Sequence, residues 1–216
     1  MPTSFNDALF RQMPVVGILR FFPREQVEKL VPAVLTGGVC NLEVTMNSAG
    51  AEDLIRLARG LVGDRGNVGA GTVTTLDELH RALGAGASFI VTPILVPEVI
   101  RACVALGVPV MPGAMTPTEI FTAWELGATL VKVFPADSLG PGFIKAVKAP
   151  LPQIRLMPTG GVTAETLPAF QQAGADAFGV GGPLFDPRQA AAGNWDWFQQ
   201  QASRFAVAYR AGLPLG

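Results

Sequence analysis

The chain has 216 residues, 49% of them hydrophobic and 15% charged, with a formal net charge of −1. That length allows one large domain or two small ones around a generous core, and the near-neutral charge leaves no electrostatic footprint for nucleic acid or an anionic membrane. Two cysteines, Cys40 and Cys103, are too few for a disulfide scaffold, and a single histidine, His80, argues against a histidine-ligated metal centre. No long apolar run and no signal peptide are evident, so a soluble, cytoplasmic protein is expected.

In chain order, residues 1–13 are expected to form a lead-in helix. A pattern then repeats: GGVCNLEV at 37–44, GAGASFIV at 84–91, GVPVM at 107–111, GATLVKV at 127–133 and GADAFGV at 174–180. Each is a glycine able to end a helix, followed by a short apolar strand. Strands are predicted near 14–19, 39–44, 67–71, 88–92, 109–112, 129–134, 154–158 and 176–180. Their starts recur every ~20 to 28 residues, the length of a strand–helix unit.

Helices fill the intervals. Glu25 to Leu35 carries Val27, Leu30, Val31 and Val34 on one stripe. Thr74-Thr75 offers a cap to a helix from Leu76 to Leu83, Pro97 opens one to Leu106, Pro117 follows Thr116 in helix-start chemistry, and Thr163 is expected to cap one through Ala173. Trp195 to Tyr209 reads as the last helix, with Trp195, Phe198, Ala202, Phe205 and Ala206 as its buried stripe. His80 falls on an exposed helix face. Eight alternations without a linker predict a single domain over 1–216, an α/β fold that is a (β/α)8 TIM barrel with an N-terminal lead-in helix. The alternative is an open, doubly wound sheet.

The segment 128–135 places a lysine, Lys132, in the middle of an apolar strand. Alternation puts Leu130, Lys132 and Phe134 on one face and Thr129, Val131 and Val133 on the other. One reading is an edge strand with a solvated lysine. The other is a lysine in an apolar pocket, its pKa pushed down and its amine able to attack a carbonyl. Glu43, between Leu42 and Val44, points inward by the same alternation. It is either a structural carboxylate paired with Lys132 or an acid/base group with a raised pKa.

Barrels of this type work at the C-terminal ends of their strands. There the sequence places Arg20, Thr72, Pro93, Phe134, Thr159, Gly160, Gly161, Gly181 and Gly182. Two glycine turns, after the seventh and eighth strands, point to a phosphate cradle of backbone N–H groups. Thr72 either caps its turn or fixes a substrate carboxylate. Arg20 either starts a solvated loop or reaches across the rim as a carboxylate clamp. A lysine, an inward carboxylate and a phosphate cradle together form the kit of a Schiff-base aldolase, needing no metal and no cofactor.

The motifs Leu42-Glu43-Val44-Thr45, Gly69-Ala70-Gly71-Thr72-Val73, Val91-Thr92-Pro93, Met111-Pro112-Gly113, Val131-Lys132-Val133-Phe134-Pro135-Ala136 and Pro158-Thr159-Gly160-Gly161-Val162 run in order through the chain. In this set the chain resembles the 2-keto-3-deoxy-6-phosphogluconate (KDPG) and 4-hydroxy-2-oxoglutarate aldolase family, class I aldolases on a (β/α) barrel. The resemblance implies a carbon–carbon lyase that cleaves a phosphorylated 2-keto-3-deoxy sugar acid to pyruvate and glyceraldehyde 3-phosphate. It further implies Lys132 as the Schiff-base lysine, Glu43 as proton shuttle, Thr72 as a pyruvate contact, Gly160, Gly161, Gly181 and Gly182 as the phosphate site, and a homotrimer.

Two positions depart from the family pattern. Asn47 stands where KDPG-type members typically carry an arginine for the pyruvate carboxylate, and Gly181-Gly182-Pro183 lacks the serine that often ends the phosphate turn. Asn47-Ser48, Ile18-Leu19-Arg20 and the segment 140–146 look more like the 6-phosphogalactonate branch, whose substrate is the C4 epimer. Rivals are a 4-hydroxy-2-oxoglutarate aldolase, a phosphate-binding barrel isomerase or synthase, and a sugar-phosphate sensor. A magnesium-dependent aldolase would need clustered carboxylates, and only Glu43 and Asp137 are at hand.

Overall fold

A computed structural model of the chain describes residues 4–213. All eight predicted strand regions are extended: β1 (Val15–Leu19), β2 (Asn41–Thr45), β3 (Asn67–Gly71), β4 (Ile90–Val91), β5 (Val110–Met111) with β6 (Gly113–Ala114), β7 (Val131–Val133), β8 (Leu156–Pro158) and β9 (Phe178–Val180). The predicted strand at 109–112 is therefore two. Proline has no N–H to give a ladder, and the chain changes sheets at Pro112: β5 pairs with β4, while β6 pairs with β7.

Every pairing is parallel, in a six-stranded sheet ordered β5-β4-β3-β2-β1-β9 and a three-stranded sheet ordered β6-β7-β8. A bridge between Thr159 and Gly179 links the end of β8 to β9. On the other side, Thr129 N–H donates to the Val110 carbonyl at 2.9 Å and Lys132 N–H to the Pro112 carbonyl at 2.8 Å. The molecule is thus an α/β fold of curled parallel sheet.

The curl separates two apolar regions. Inside it pack Phe10, Val16, Phe89, Val91, Met111, Leu130, Met157 and Ala177. Outside it, the larger core between strands and helices takes Val131 and Val133. Lys132 alternates with those two and so shares the inner face of Leu130.

The helices are α1 (Asp7–Gln12), α2 (Arg24–Thr36), α3 (Ala51–Val62), α4 (Leu76–Gly84), α5 (Pro97–Ala105), α6 (Pro117–Glu125), α7 (Gly140–Lys148), α8 (Leu167–Gln172), α9 (Pro187–Ala191) and α10 (Trp195–Ala211). Thr75 with Glu78 and Thr116 with Glu119 form complete capping boxes. Thr163 is not the cap of α8. Its hydroxyl accepts the N–H groups of Glu165 and Thr166 in a preceding turn, and the helix starts at Leu167. On α10, Phe198, Ala202, Phe205 and Ala206 are buried as expected, whereas Trp195 is only half-buried. His80 is exposed. Among the described residues no helix is long and apolar enough to cross a membrane.

Of the predicted lead-in segment, residues 1–3 lie outside the described residues, and α1 follows them, capped by the Asn6 side chain. Phe10 is 1% exposed, and Phe5 packs against it and against Phe89, with ring centroids 5.3 and 5.9 Å apart. Asn67 accepts the Asn6 N–H at 2.7 Å and donates to Asn41 at 2.9 Å; Asn41 in turn donates to the Met13 carbonyl at 2.6 Å. The buried amides therefore fasten the segment that inserts Phe10. Phe10→Ala should cost about 3–5 kcal/mol, the range for emptying a buried aromatic site. Urea denaturation checks this, and a loss below about 1 kcal/mol would show that Phe10 does not hold the floor of the curl.

Candidate active site

Lys132 is the middle residue of β7 and 3% exposed. The edge-strand reading fails, because β7 is paired on both sides, with β6 and β8. Burial holds its amine below the ordinary value; Glu43 opposes that shift and Arg20 adds to it. The Phe134 ring lies over the amine, with Nζ 4.9 Å from the centroid.

Glu43 is the middle residue of β2 and 1% exposed. Burial pushes its carboxyl up, against the pull of Lys132 and Arg20. Among the described residues neither carboxylate oxygen has a hydrogen-bond partner. A buried carboxyl left unsatisfied is costly in a core built only for stability. The reading of Glu43 as a structural ion-pair partner of Lys132 therefore has no support, since such a pair would satisfy it. The space it occupies is made by Gly71 at the end of β3: a Cβ there would lie 1.7 Å from Glu43 Oε1.

Beside these groups is a pocket of about 290 Å³, walled by Ile18, Phe22, Val162 and Phe185 and reached by Arg20, Lys132, Phe134 and Thr159. The turns Gly160-Gly161 and Gly181-Gly182-Pro183 complete it. Gly160 and Gly161 take φ of 98° and 69°, values that only glycine adopts freely. At Gly181 and Gly182 an added Cβ would meet nothing within 4 Å, so the protein's own atoms do not demand glycine there. Open space over exposed backbone is what an incoming anion needs.

Eight predicted residues thus line one pocket: Arg20, Lys132, Phe134, Thr159, Gly160, Gly161, Gly181 and Gly182. Glu43, Thr72 and Pro93 do not line it. Glu43 feels the charges of Lys132 and Arg20. Thr72 follows β3 with φ 58°, a conformation that costs a β-branched residue about 1–3 kcal/mol and gathers at functional sites. Pro93 is half-buried after β4. Asn47 is exposed and off the pocket wall.

Sequence reasoning missed the aromatic wall of Phe22 and Phe185, whose centroids are 6.1 Å apart. Both sit in loops, where no periodicity marks them; the available signal was an aromatic shortly after each of two strand ends. It named Thr45 and Ser48 in motifs but not their pairing: the two hydroxyls are 2.9 Å apart and buried, and the Ser48 oxygen accepts the Phe21 N–H at 3.0 Å. Among the described residues no group of three or more His, Cys, Asp or Glu is placed to hold a metal ion.

The family model described as KDPG and KHG aldolase matches residues 6–201. The 2-dehydro-3-deoxy-6-phosphogalactonate aldolase of Escherichia coli is 38% identical over 203 residues, covering 94% of this chain and 97% of that one. A solved structure of native KDPGal superposes with a TM-score of 0.88 at 37% identity, covering 94% of this chain and 97% of the other. The KDPG aldolase of Legionella pneumophila, solved with pyruvate captured as a covalent carbinolamine intermediate, superposes at 0.81 with 26% identity, covering 91% of this chain and 95% of that one.

The contact between Gly71 and Glu43 is open to a direct test. Gly71→Ala should drive the carboxylate from its place and cost about 1–3 kcal/mol, as overpacking does. Adding Glu43→Ala should recover most of that loss in urea denaturation, because the clash is gone. A double variant no more stable than Gly71→Ala would mean that the two residues do not compete for space.

Proposed function

The chain belongs to the KDPG and KHG aldolase family and is a carbon–carbon lyase, and on that premise we propose that it cleaves a 2-keto-3-deoxy-6-phospho sugar acid to pyruvate and glyceraldehyde 3-phosphate through a Schiff base on Lys132. The observation that carries this is a buried, deprotonation-prone lysine acting electrostatically on a buried carboxylate that has no hydrogen-bond partner among the described residues.

In this mechanism the neutral Lys132 amine adds to the C2 carbonyl, and Glu43 carries the protons that turn the carbinolamine into an iminium and water. Glu43 then takes the C4 hydroxyl proton, directly or through a water. The C3–C4 bond breaks, its electron pair flows into the iminium as an enamine, and the aldehyde leaves. Protonation at C3 and addition of water release pyruvate and the free amine. No metal and no cofactor enter. Thr72, Pro93 and Phe134 are assigned to the pyruvate end, while Thr159 and the two glycine turns are assigned to the phosphate. A pocket continuous from Lys132 to those turns favours a phosphorylated substrate over 4-hydroxy-2-oxoglutarate, which would leave the turns unused. We further assign residues 1–216 to one domain, a closed (β/α)8 barrel working in the cytoplasm as a homotrimer.

Pyruvate with borohydride should fix a reduced pyruvyl group on Lys132 and inactivate the enzyme, while EDTA leaves activity intact. Lys145, exposed, and Lys148, paired with Asp176 at 2.8 Å, are internal controls. Labelling at either of them, or nowhere, would sink the Schiff-base assignment.

The carboxylate clamp is assigned to Arg20 rather than to Asn47, since Arg20 lines the pocket and Asn47 does not. Arg20→Ala should lose on the order of 1.5–3 kcal/mol of substrate binding, as for a hydrogen bond to a charged group. Asn47→Ala should cost less and mainly alter the preference between C4 epimers. The measurement is kcat/KM for both variants on the phosphorylated gluconate and galactonate aldols. A larger loss for Asn47→Ala on both would move the clamp back to β2.

A further inference from the structure

We propose that Ser48 is a positioning residue for substrate recognition: its hydroxyl holds the peptide between Arg20 and Phe21 and thereby fixes the Arg20 guanidinium at the pocket. This rests on the assignment of Arg20 as the anion clamp.

Phe21 has φ 62°, one of two non-glycine residues with positive φ among the described residues. A bulky side chain in that region is a strained outlier that persists only when its surroundings over-determine it. Ring packing does not supply the constraint, because Phe21 is 66% exposed. Its backbone does: the Phe21 N–H donates to Ser48 Oγ at 3.0 Å, across 27 residues of sequence.

Ser48 is itself firmly held. The Ser48 N–H donates to the Thr45 carbonyl at 2.9 Å, closing a tight turn after β2. Within that turn the two hydroxyl oxygens are 2.9 Å apart, with Thr45 at 0% and Ser48 at 6% exposure. Two hydroxyls buried at the C-terminal end of a strand are costly unless satisfied. Here one of them receives an N–H from the neighbouring strand's loop. β1 and β2 pair through Leu19↔Val44, so the turn after β2 stands beside the residues that follow β1.

The residues on either side of the strained peptide are functional in position. Arg20 and Phe22 both line the pocket, and Phe22 is 7% exposed against Phe185. Without the Ser48 acceptor, Phe21 is free to relax to negative φ, and the direction in which Arg20 leaves β1 changes with it. The bland alternative is that Ser48 only satisfies a turn, in which case its loss lowers stability and leaves recognition alone.

Steady-state kinetics on Ser48→Ala, Ser48→Thr, Arg20→Ala and the double variant Arg20→Ala/Ser48→Ala separate the two. Ser48→Ala should raise KM roughly 3- to 12-fold, the effect of one net hydrogen bond, with kcat little changed. Ser48→Thr keeps the hydroxyl and should restore KM. In the Arg20→Ala background, Ser48→Ala should add almost nothing, because its effect passes through the missing guanidinium. If alanine does not fold, Ser48→Cys preserves the size while offering only a weak acceptor, and is expected to give the same split. Equal KM increases in both backgrounds would overturn the proposal while leaving Arg20 as the clamp. An Arg20→Ala enzyme with unchanged KM would overturn both together.

Discussion

Everything at this site depends on keeping two ionisable groups inside an apolar curl of strands. Lys132 and Glu43 are both buried, with each other's charge and that of Arg20 acting on them, and burial is the largest influence on each. Its effect is opposite in the two: it favours the neutral amine and the neutral acid. Each group's charge partly reverses the shift of the other. Neighbouring choices follow from that constraint. β7 is paired on both sides, so the lysine cannot escape to water, and Gly71 gives up its side chain so that the carboxyl fits.

Much of this was legible in the sequence because alternation is a strict geometric rule. Once 128–135 is taken as a strand, Lys132 must share a face with Leu130, and Leu130 is indeed in the inner cluster while Val131 and Val133 are in the outer one. Capping chemistry was equally readable at Thr75 and Thr116, where a glutamate three residues on completes the box. Thr163 has the same residue type but no such partner geometry, and its hydroxyl was used one turn early. The division at Pro112 also follows a local rule, although the sheet change there depends on which strands arrive alongside.

What stayed hidden belongs to loops. Phe22, Phe185 and Ser48 carry no period, and their places are set by contacts between segments far apart in the chain. The glycines illustrate the same limit. Gly71 and Gly181 look alike in sequence, yet the first yields room to the protein's own carboxylate, while the second faces open space in the pocket wall. Only the fold separates a glycine needed for packing from one left bare toward the pocket.

Arg20 ties the two ends of the site together. It is the cation that reaches the pocket besides Lys132, and its field acts on both buried groups. A positive charge disfavours the ammonium form of Lys132 and favours the carboxylate form of Glu43, so it opposes the protonated state of each. Those unprotonated forms are the nucleophile and the base that the proposed cleavage needs. A substrate anion settling on the guanidinium would neutralise part of that field at the moment of binding. The carboxyl of Glu43 would then take up a proton more readily, in the direction required for carbinolamine dehydration, where it must give one to the departing hydroxyl. One residue at the rim thus links recognition of the substrate's charge to the protonation of groups it does not touch, which is why the precision with which the chain holds Arg20 matters beyond binding alone.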